Sequence, residues 1–350
     1  MIVFYLFIVI LVFYKVSFSK ELDFSALNKD RTDSIKGIFI LLVFLRHIFP
    51  YIEKYCTNFN RFDRLFEVSD KYLGQLIVVM FMFYSGYGVM ESCKKKSTAY
   101  VETMPQKRIL STILNFMVAV GFFLLIQMLM GQHYPLSKVA LAFVGWESIG
   151  NSNWYIFTIV ACYIVTYFSF SKCGVTDSER LKTSLYITFV GLLLFIVTMC
   201  FFKETYWFNT VFAYLAGLVF SFKKDFAFDR IRMGYKKLLL LSTVTFLTLS
   251  VLYLFVREFD RIGLVFNFCS IAFAFVILLL TLRVKISNNV LVWLGSNLFP
   301  LYIYQRIPML VLASLFGTTL ISTFPYLYVV ICFIFTILLA NLYKYIAIKL

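Results

Sequence analysis

The chain has 350 residues, 61% of them hydrophobic and only 15% charged, and a formal net charge of +15. Soluble domains are about 45–50% apolar and about 25% charged, so a mean hydropathy of +0.85 excludes a soluble globular fold. The basic excess does not point to nucleic acid either, because Lys and Arg stand between apolar runs long enough to cross a bilayer, the pattern of an all-α polytopic membrane protein.

Eleven stretches are apolar over the length that crosses about 30 Å of hydrocarbon. They are roughly 2–18, 36–52, 73–92, 109–131, 153–171, 184–202, 207–222, 237–256, 262–282, 290–313 and 325–347. The first lacks a basic start and runs into Lys20-Glu21-Leu22-Asp23 instead of a small-residue cleavage site, so it reads as a helix and not as a signal peptide. Segment 139–146 is too brief to span and is expected in the interface. No connection is long enough for a soluble domain, so residues 1–350 are expected to form a single membrane domain with 2–18 as an extra N-terminal span. The two halves share nothing beyond hydrophobicity, which speaks against a repeat-built transporter.

One set of alternate loops, with the C-terminus, carries 22 Lys and Arg, and the other set carries 8. The positive-inside rule then puts the N-terminus outside and the C-terminus in the cytoplasm of a multi-pass cell-membrane protein. The absence of any N-x-S/T sequon agrees with a bacterial membrane. Seven cysteines show no C-x-x-C pair and only two histidines occur, so neither a metal site nor a permanently bound cofactor is expected.

The second span, RTDSIKGIFILLVFLRHIFPYI (31–52), interrupts its apolar run with Arg46 and His47. Lys36 precedes His47 by eleven positions. On an α-helix that is about 1100° of turn and roughly 16 Å of rise, so the two share one face, Lys36 at the cytoplasmic boundary and His47 past mid-depth. Pro50 lacks an N–H and leaves the Arg46 carbonyl without its helical partner, which adds a polar notch. A guanidinium in mid-span costs roughly 2.5–3.5 kcal/mol on insertion scales and faces the bundle interior or a wet cavity. The competing, purely structural reading is that Arg46 and His47 knit helices together.

DSIKGIFILLVFLRH (33–47) resembles the signature of the acyltransferase 3 family of integral membrane acyltransferases, in which an Arg or Lys is followed by His on the first core helix. MFMFYSGYGVMES (80–92), NWYIFTIVACYI (153–164) and LGSNLFPLYIYQRIP (294–308) are similar, in order, to three further stretches of that family. The resemblance implies a ten-helix core over about 31–348 and transfer of an acyl group, commonly acetyl from the co-substrate acetyl-CoA, to sugar hydroxyls. It implies His47 as the catalytic residue, acting either as general base or as transient acyl carrier. Lys36 and Arg31, collinear with His47, are the expected donor contacts, while Arg46, Tyr84, Ser85, Trp154, Gln305 and Arg306 are expected to line or support the cavity. Two departures stand out: Lys36 occupies a position where many members have Arg, and Gln305 and Arg306 stand where many have His.

The reading is a membrane O-acetyltransferase for an extracytoplasmic glycan, such as capsule or cell-wall polysaccharide, or its lipid-linked precursor. Its expected partners are acetyl-CoA, that acceptor and the lipid bilayer. A polysaccharide exporter or flippase, or a structural subunit of a polysaccharide synthase, would share the aromatic spans but would not need His47 in line with Lys36.

Overall fold

In lipid a backbone must satisfy its own polar groups, and only helices do so within one segment. The computed structural model, which describes residues 2–56, 67–68, 71–72 and 74–348, is accordingly almost entirely helical. Among the described residues nine helical segments are long and apolar enough to cross a membrane.

Helix α1 is Ile2–Phe13, about 18 Å long by its 12 residues. It is therefore too short to cross by itself, and the expected span 2–18 is corrected. Lys15, at φ 68, breaks the helix, and Val16–Phe18 (β1) pairs antiparallel with Val284–Ile286 (β2), Val16 opposite Ile286. Helix α2, Lys29–Tyr55, carries the whole motif of the second span with Pro50 inside it. Next come α3 (Leu76–Lys96) and α4 (Thr98–Leu129), the latter with a π-helical turn at Pro105–Leu110. Helix α5 (Leu136–Phe143), in the stretch too brief to span, has only eight residues. The chain continues through α6 (Trp154–Cys173), α7 (Ser178–Met199), α8 (Val211–Phe222), α9 (Lys224–Val256) and α10 (Leu264–Thr281). Gly234 bends α9, separating a basic first segment from the apolar part that crosses.

The expected span 290–313 is not one helix. It divides into α11 (Asn289–Ser296), α12 (Leu298–Tyr304) and α13 (Arg306–Phe316), and α14 (Pro325–Ile346) follows. Each break has a local cause. Pro300 and Pro308 cannot donate to the carbonyls four residues earlier, and the chain turns at Asn297 and Gln305.

Helix α8 also departs from expectation. The run 207–222 reads as a full span, yet the helix begins only at Val211 and has 12 residues, about 18 Å. Residues 205–210 make a 3₁₀ turn and irregular backbone in the protein interior. Side chains from neighbouring helices satisfy that backbone: Thr158 Oγ1 donates to the Trp207 carbonyl (2.6 Å), Asn267 Nδ2 donates to the Phe208 carbonyl (3.1 Å), and the Phe212 N–H donates to Asn267 Oδ1 (2.9 Å). Buried non-helical backbone survives only where protein supplies such partners.

Glycines set the closest helix approaches. A Cβ on Gly86 would overlap the Tyr214 carbonyl, and one on Gly217 would overlap the Phe83 carbonyl, so α3 and α8 meet backbone to backbone. Gly37 against Leu291 and Gly295 against Asp33 do the same for α2 and α11. Of the two glycines in the Tyr84–Gly88 run, Gly86 makes the contact, whereas Gly88 faces open space. This small-residue packing fixes the height and rotation of α2 and α3, the two helices that carry the sequence motifs.

Candidate active site

Helix α2 presents different chemistry at its two ends. At the Lys36 end, Asp33 is buried at 1% exposure and pairs with Lys36 Nζ at 2.5 Å, one turn along the helix. Arg31 pairs with Asp23 and donates to the carbonyls of Thr281 (2.7 Å) and Val284 (3.4 Å) and to Ser25 Oγ (3.3 Å). Its guanidinium thus ties the segment before α2 to the end of α10. Around the same rim, Lys94 and Lys224 both reach Glu91 (2.5 and 3.6 Å), which also accepts from Ser221 Oγ at 2.7 Å.

At the other end, His47 and Arg46 line a cavity of about 150 Å³. Val43 of α2, Gln75 and Val78 at the start of α3, Trp154 at the start of α6, Tyr206 from the irregular segment before α8 and Tyr302 of α12 also line it. The Tyr302 ring lies 5.9 Å from the imidazole and 5.2 Å from the Tyr155 ring, while Trp154 meets Tyr206 edge-on at 5.9 Å. One wall is therefore aromatic, and the floor carries an imidazole and a guanidinium.

The polar atoms here are notable for what they do not bond. His47 Nδ1, the Tyr302 hydroxyl and Arg306 Nε are buried without a hydrogen-bond partner among the described residues. Arg306 follows Tyr302 by one turn, and its charge acts on both Tyr302 and His47. Arg46 acts on His47 as well, and interacts with Tyr5 of α1. Buried polar groups are nearly always paired in folded proteins, so the unpaired His47 Nδ1 and Tyr302 hydroxyl, both of residues that line one cavity, mark a place where a ligand can supply partners.

The structure brings His47, Arg46 and Trp154 together on the cavity surface, whereas Arg306, one turn after Tyr302, does not line it. Ser85 reaches the Tyr155 hydroxyl and so supports the Tyr302 wall from behind. Gln305 is buried and donates to the Tyr302 carbonyl at 3.2 Å, holding the α12–α13 break without lining the cavity. Tyr84 also lies off the cavity, its hydroxyl buried and unpartnered. Lys36 and Arg31 sit at the opposite end of α2 and do not touch the cavity.

Tyr302, Tyr206 and Gln75 escaped the sequence reading; among 23 Tyr and 42 Phe nothing in the sequence marks two rings as special. Arg108 is a further case. Sequence alone counts it with Lys107 as loop charge, yet the π-helical turn directs it inward, where Nε donates to the Tyr100 hydroxyl at 3.2 Å and its charge reaches Tyr163 and Tyr214. A larger groove of about 330 Å³ between α1, α2 and α14 is lined by apolar side chains only and offers nothing for proton transfer. Among the described residues no cluster of His, Cys, Asp and Glu could hold a metal ion.

His47, its Nδ1 unpaired, thus lines a polar cavity on a helix that carries Lys36 eleven positions earlier. No curated protein and no solved structure gives a match. The acyltransferase domain family, however, matches residues 30–343, nearly the whole chain except α1 and β1. The chain belongs to the acyltransferase 3 family of membrane acyltransferases.

Proposed function

We propose that this protein is a multi-pass O-acetyltransferase of a bacterial cell membrane. It takes acetyl from acetyl-CoA on the cytoplasmic side and delivers it to a hydroxyl of an extracytoplasmic polysaccharide or its lipid-linked precursor. The observation that carries the reading is the position of His47: on the cavity surface, with Nδ1 unpaired, and on the same helix and face as Lys36. Roughly 16 Å of helix separates the two, comparable to an extended pantetheine arm, so one donor can rest its charged end at Lys36 and its thioester at His47. Arg31, held by Asp23 and two carbonyls, shapes the same donor rim.

The chemistry asked of the site is modest because a thioester is already activated. The acceptor oxygen gives its proton to the neutral imidazole while forming the new C–O bond at the thioester carbon. The C–S bond then breaks, and the imidazolium returns that proton to the departing CoA thiolate. In the variant with an acyl carrier, the imidazole nitrogen attacks the thioester carbon and CoA leaves as thiolate; the acceptor hydroxyl then attacks the acetyl-imidazole, the C–N bond breaks, and the acceptor's proton ends on the thiolate. Trp154 and Tyr206 offer ring faces against which a sugar can stack.

The test is direct. Vesicles containing the full chain are given radiolabelled acetyl-CoA and a bacterial surface polysaccharide, and label in the polysaccharide is counted. Label above that of protein-free vesicles is expected. Movement of the polysaccharide across the vesicle membrane with no label in it would instead support the exporter reading.

A further inference from the structure

We propose that a groove between α7, α8 and α10 holds one acyl chain of an anionic phospholipid, whose phosphate is bound by Lys223 and Arg230. The groove shares no lining residue with the His47 cavity, and the site does not depend on the acyl-transfer reading.

Two helix stripes face the groove with the same spacing. They are Phe212, Ala216, Val219 and Lys223 along α8, and Leu264, Phe268, Ile271 and Phe275 along α10. Steps of four, three and four keep each set on one helix face and extend it over roughly 16 Å. Ring contacts hold the two helices side by side, Phe212 with Phe268 at 6.4 Å and Phe220 with Phe275 at 6.0 Å. Phe212 also meets Phe189 of α7 at 5.9 Å, which brings the third helix to the same slot. The space is about 530 Å³, and Lys223 is the one charged residue that lines it. Half of the about 30 Å of bilayer hydrocarbon is the depth of one leaflet. The slot therefore has the length of one leaflet, with its cation at one end, where a headgroup begins.

That end suits an anion. Ala227, in the basic first segment of α9, also lines the groove. Lys223 stands four positions before it and Arg230 three after it, so the three share a face. The neighbouring cations Lys224 and Arg232 are paired with Glu91 and Asp229. Lys223 and Arg230 have no carboxylate partner among the described residues and rest against the rings of Phe222 and Phe226. A second copy of the chain is a poor occupant. Inserted with the same topology it would bring its own basic loops to the level of Lys223, and at a net charge of +15 like charges would meet. An anionic headgroup neutralises both cations instead, while its acyl chain covers the apolar stripes.

The experiment uses the purified full chain in detergent, stripped of lipid. Two probes with identical acyl chains are added, dioleoyl phosphatidylglycerol and dioleoyl phosphatidylcholine, and native mass spectrometry counts the lipids that stay bound. Wild type should retain one phosphatidylglycerol about 10–30-fold more tightly than phosphatidylcholine, the effect of two cations near a headgroup. Lys223→Gln combined with Arg230→Gln, both at exposed positions, should abolish the preference and leave the weaker binding of phosphatidylcholine unchanged. Ala216→Trp fills the slot from a half-buried position and should displace the retained lipid from a protein that still melts cooperatively. Equal retention of the two lipids by wild type overturns the proposal, and that measurement needs no variant to fold. A preference that survives the double Gln variant overturns it too. So does phosphatidylglycerol that Ala216→Trp fails to displace, which would leave a headgroup on the basic segment with no chain in the groove. A dimer that Ala216→Trp splits and phosphatidylglycerol does not would make a second copy the occupant and overturn the lipid assignment.

Discussion

The two ends of α2 are built from the same kinds of side chain and use them in opposite ways. At the Lys36 end four cations are matched by Asp23, Asp33 and Glu91, and Arg31 spends its remaining donors on backbone carbonyls. At the His47 end an imidazole nitrogen, a phenol and a guanidinium nitrogen are enclosed by protein and bonded to none of it. Polar groups that hold a fold together are found paired, whereas those kept for a ligand remain open until it arrives. Unpaired atoms occur elsewhere too, Arg283 Nε at the Lys36 end among them, so what distinguishes the His47 end is that two of them belong to residues lining one cavity.

Substitutions can break that comparison. The largest effect is expected at the open end: His47→Ala should lower acyl transfer by about 100–10,000-fold with little change in the amount of inserted protein. Radiolabel transfer at matched protein levels checks this, and near-wild-type transfer would return His47 to a purely structural role. Next comes the scaffold. Gly295→Ala places a methyl group on the Asp33 carbonyl and should cost about 1–3 kcal/mol by overpacking, seen as a lower melting temperature in detergent. Gly88→Ala, in open space within α3, is the matched control and should melt at or slightly above wild type.

Lys36 belongs to both categories, which makes it the most instructive of the set. Lys36→Ala strands the buried Asp33, so the informative variant is Lys36→Ala combined with Asp33→Asn. That pair should fold and show an apparent KM for acetyl-CoA raised about 10-fold, with the acceptor KM unchanged. An unchanged donor KM would leave Lys36 as a rim anchor alone.

The smallest effect belongs to Asp23, outside the spans. Its carboxyl is held below the ordinary carboxylate value of 3.8 by hydrogen bonds from Ser25 and by the Arg31 guanidinium. A depressed value means that the pairing contributes fully above the ordinary carboxylate range and is lost as pH falls through the lowered value. Asp23→Asn should therefore change stability at neutral pH by no more than about 1 kcal/mol, as befits a partly exposed pair. The difference from wild type should vanish in acid melts, and a difference that grows on acidification would contradict the assignment.

Much of this architecture was legible because hydrocarbon imposes length. Counting residues gave eleven spans against nine long apolar helical segments among the described residues, and it left α5 too short to cross, while His47 was conspicuous as an ionisable group deep in an apolar run. The rest depended on partners far away in sequence. Hydropathy cannot tell that 205–210 is irregular, since that follows from hydroxyl and amide groups on α6 and α10. Nor can it see β1 meeting β2, or Arg31 reaching Thr281. Among the cavity residues, Arg46 and Trp154 were readable from polarity and position, while Tyr206 and Tyr302 became distinct only once the helices had been brought together.

The short ribbon of β1 and β2 has a consequence for how the protein is made. Arg31 and its Thr281 acceptor are 250 residues apart, and β1, Gly37 and Asp33 likewise wait for segments beyond residue 283. At about 5–20 residues per second, roughly 12–50 s pass between emergence of the motif helix and that of its partners from the ribosome. Throughout that interval α2 sits in the membrane with Arg46 and His47 inserted but without α11 and α12 beside it. The nascent chain must therefore be sheltered laterally, by the insertion machinery or by α3, until the last fifth arrives to close the cavity around them.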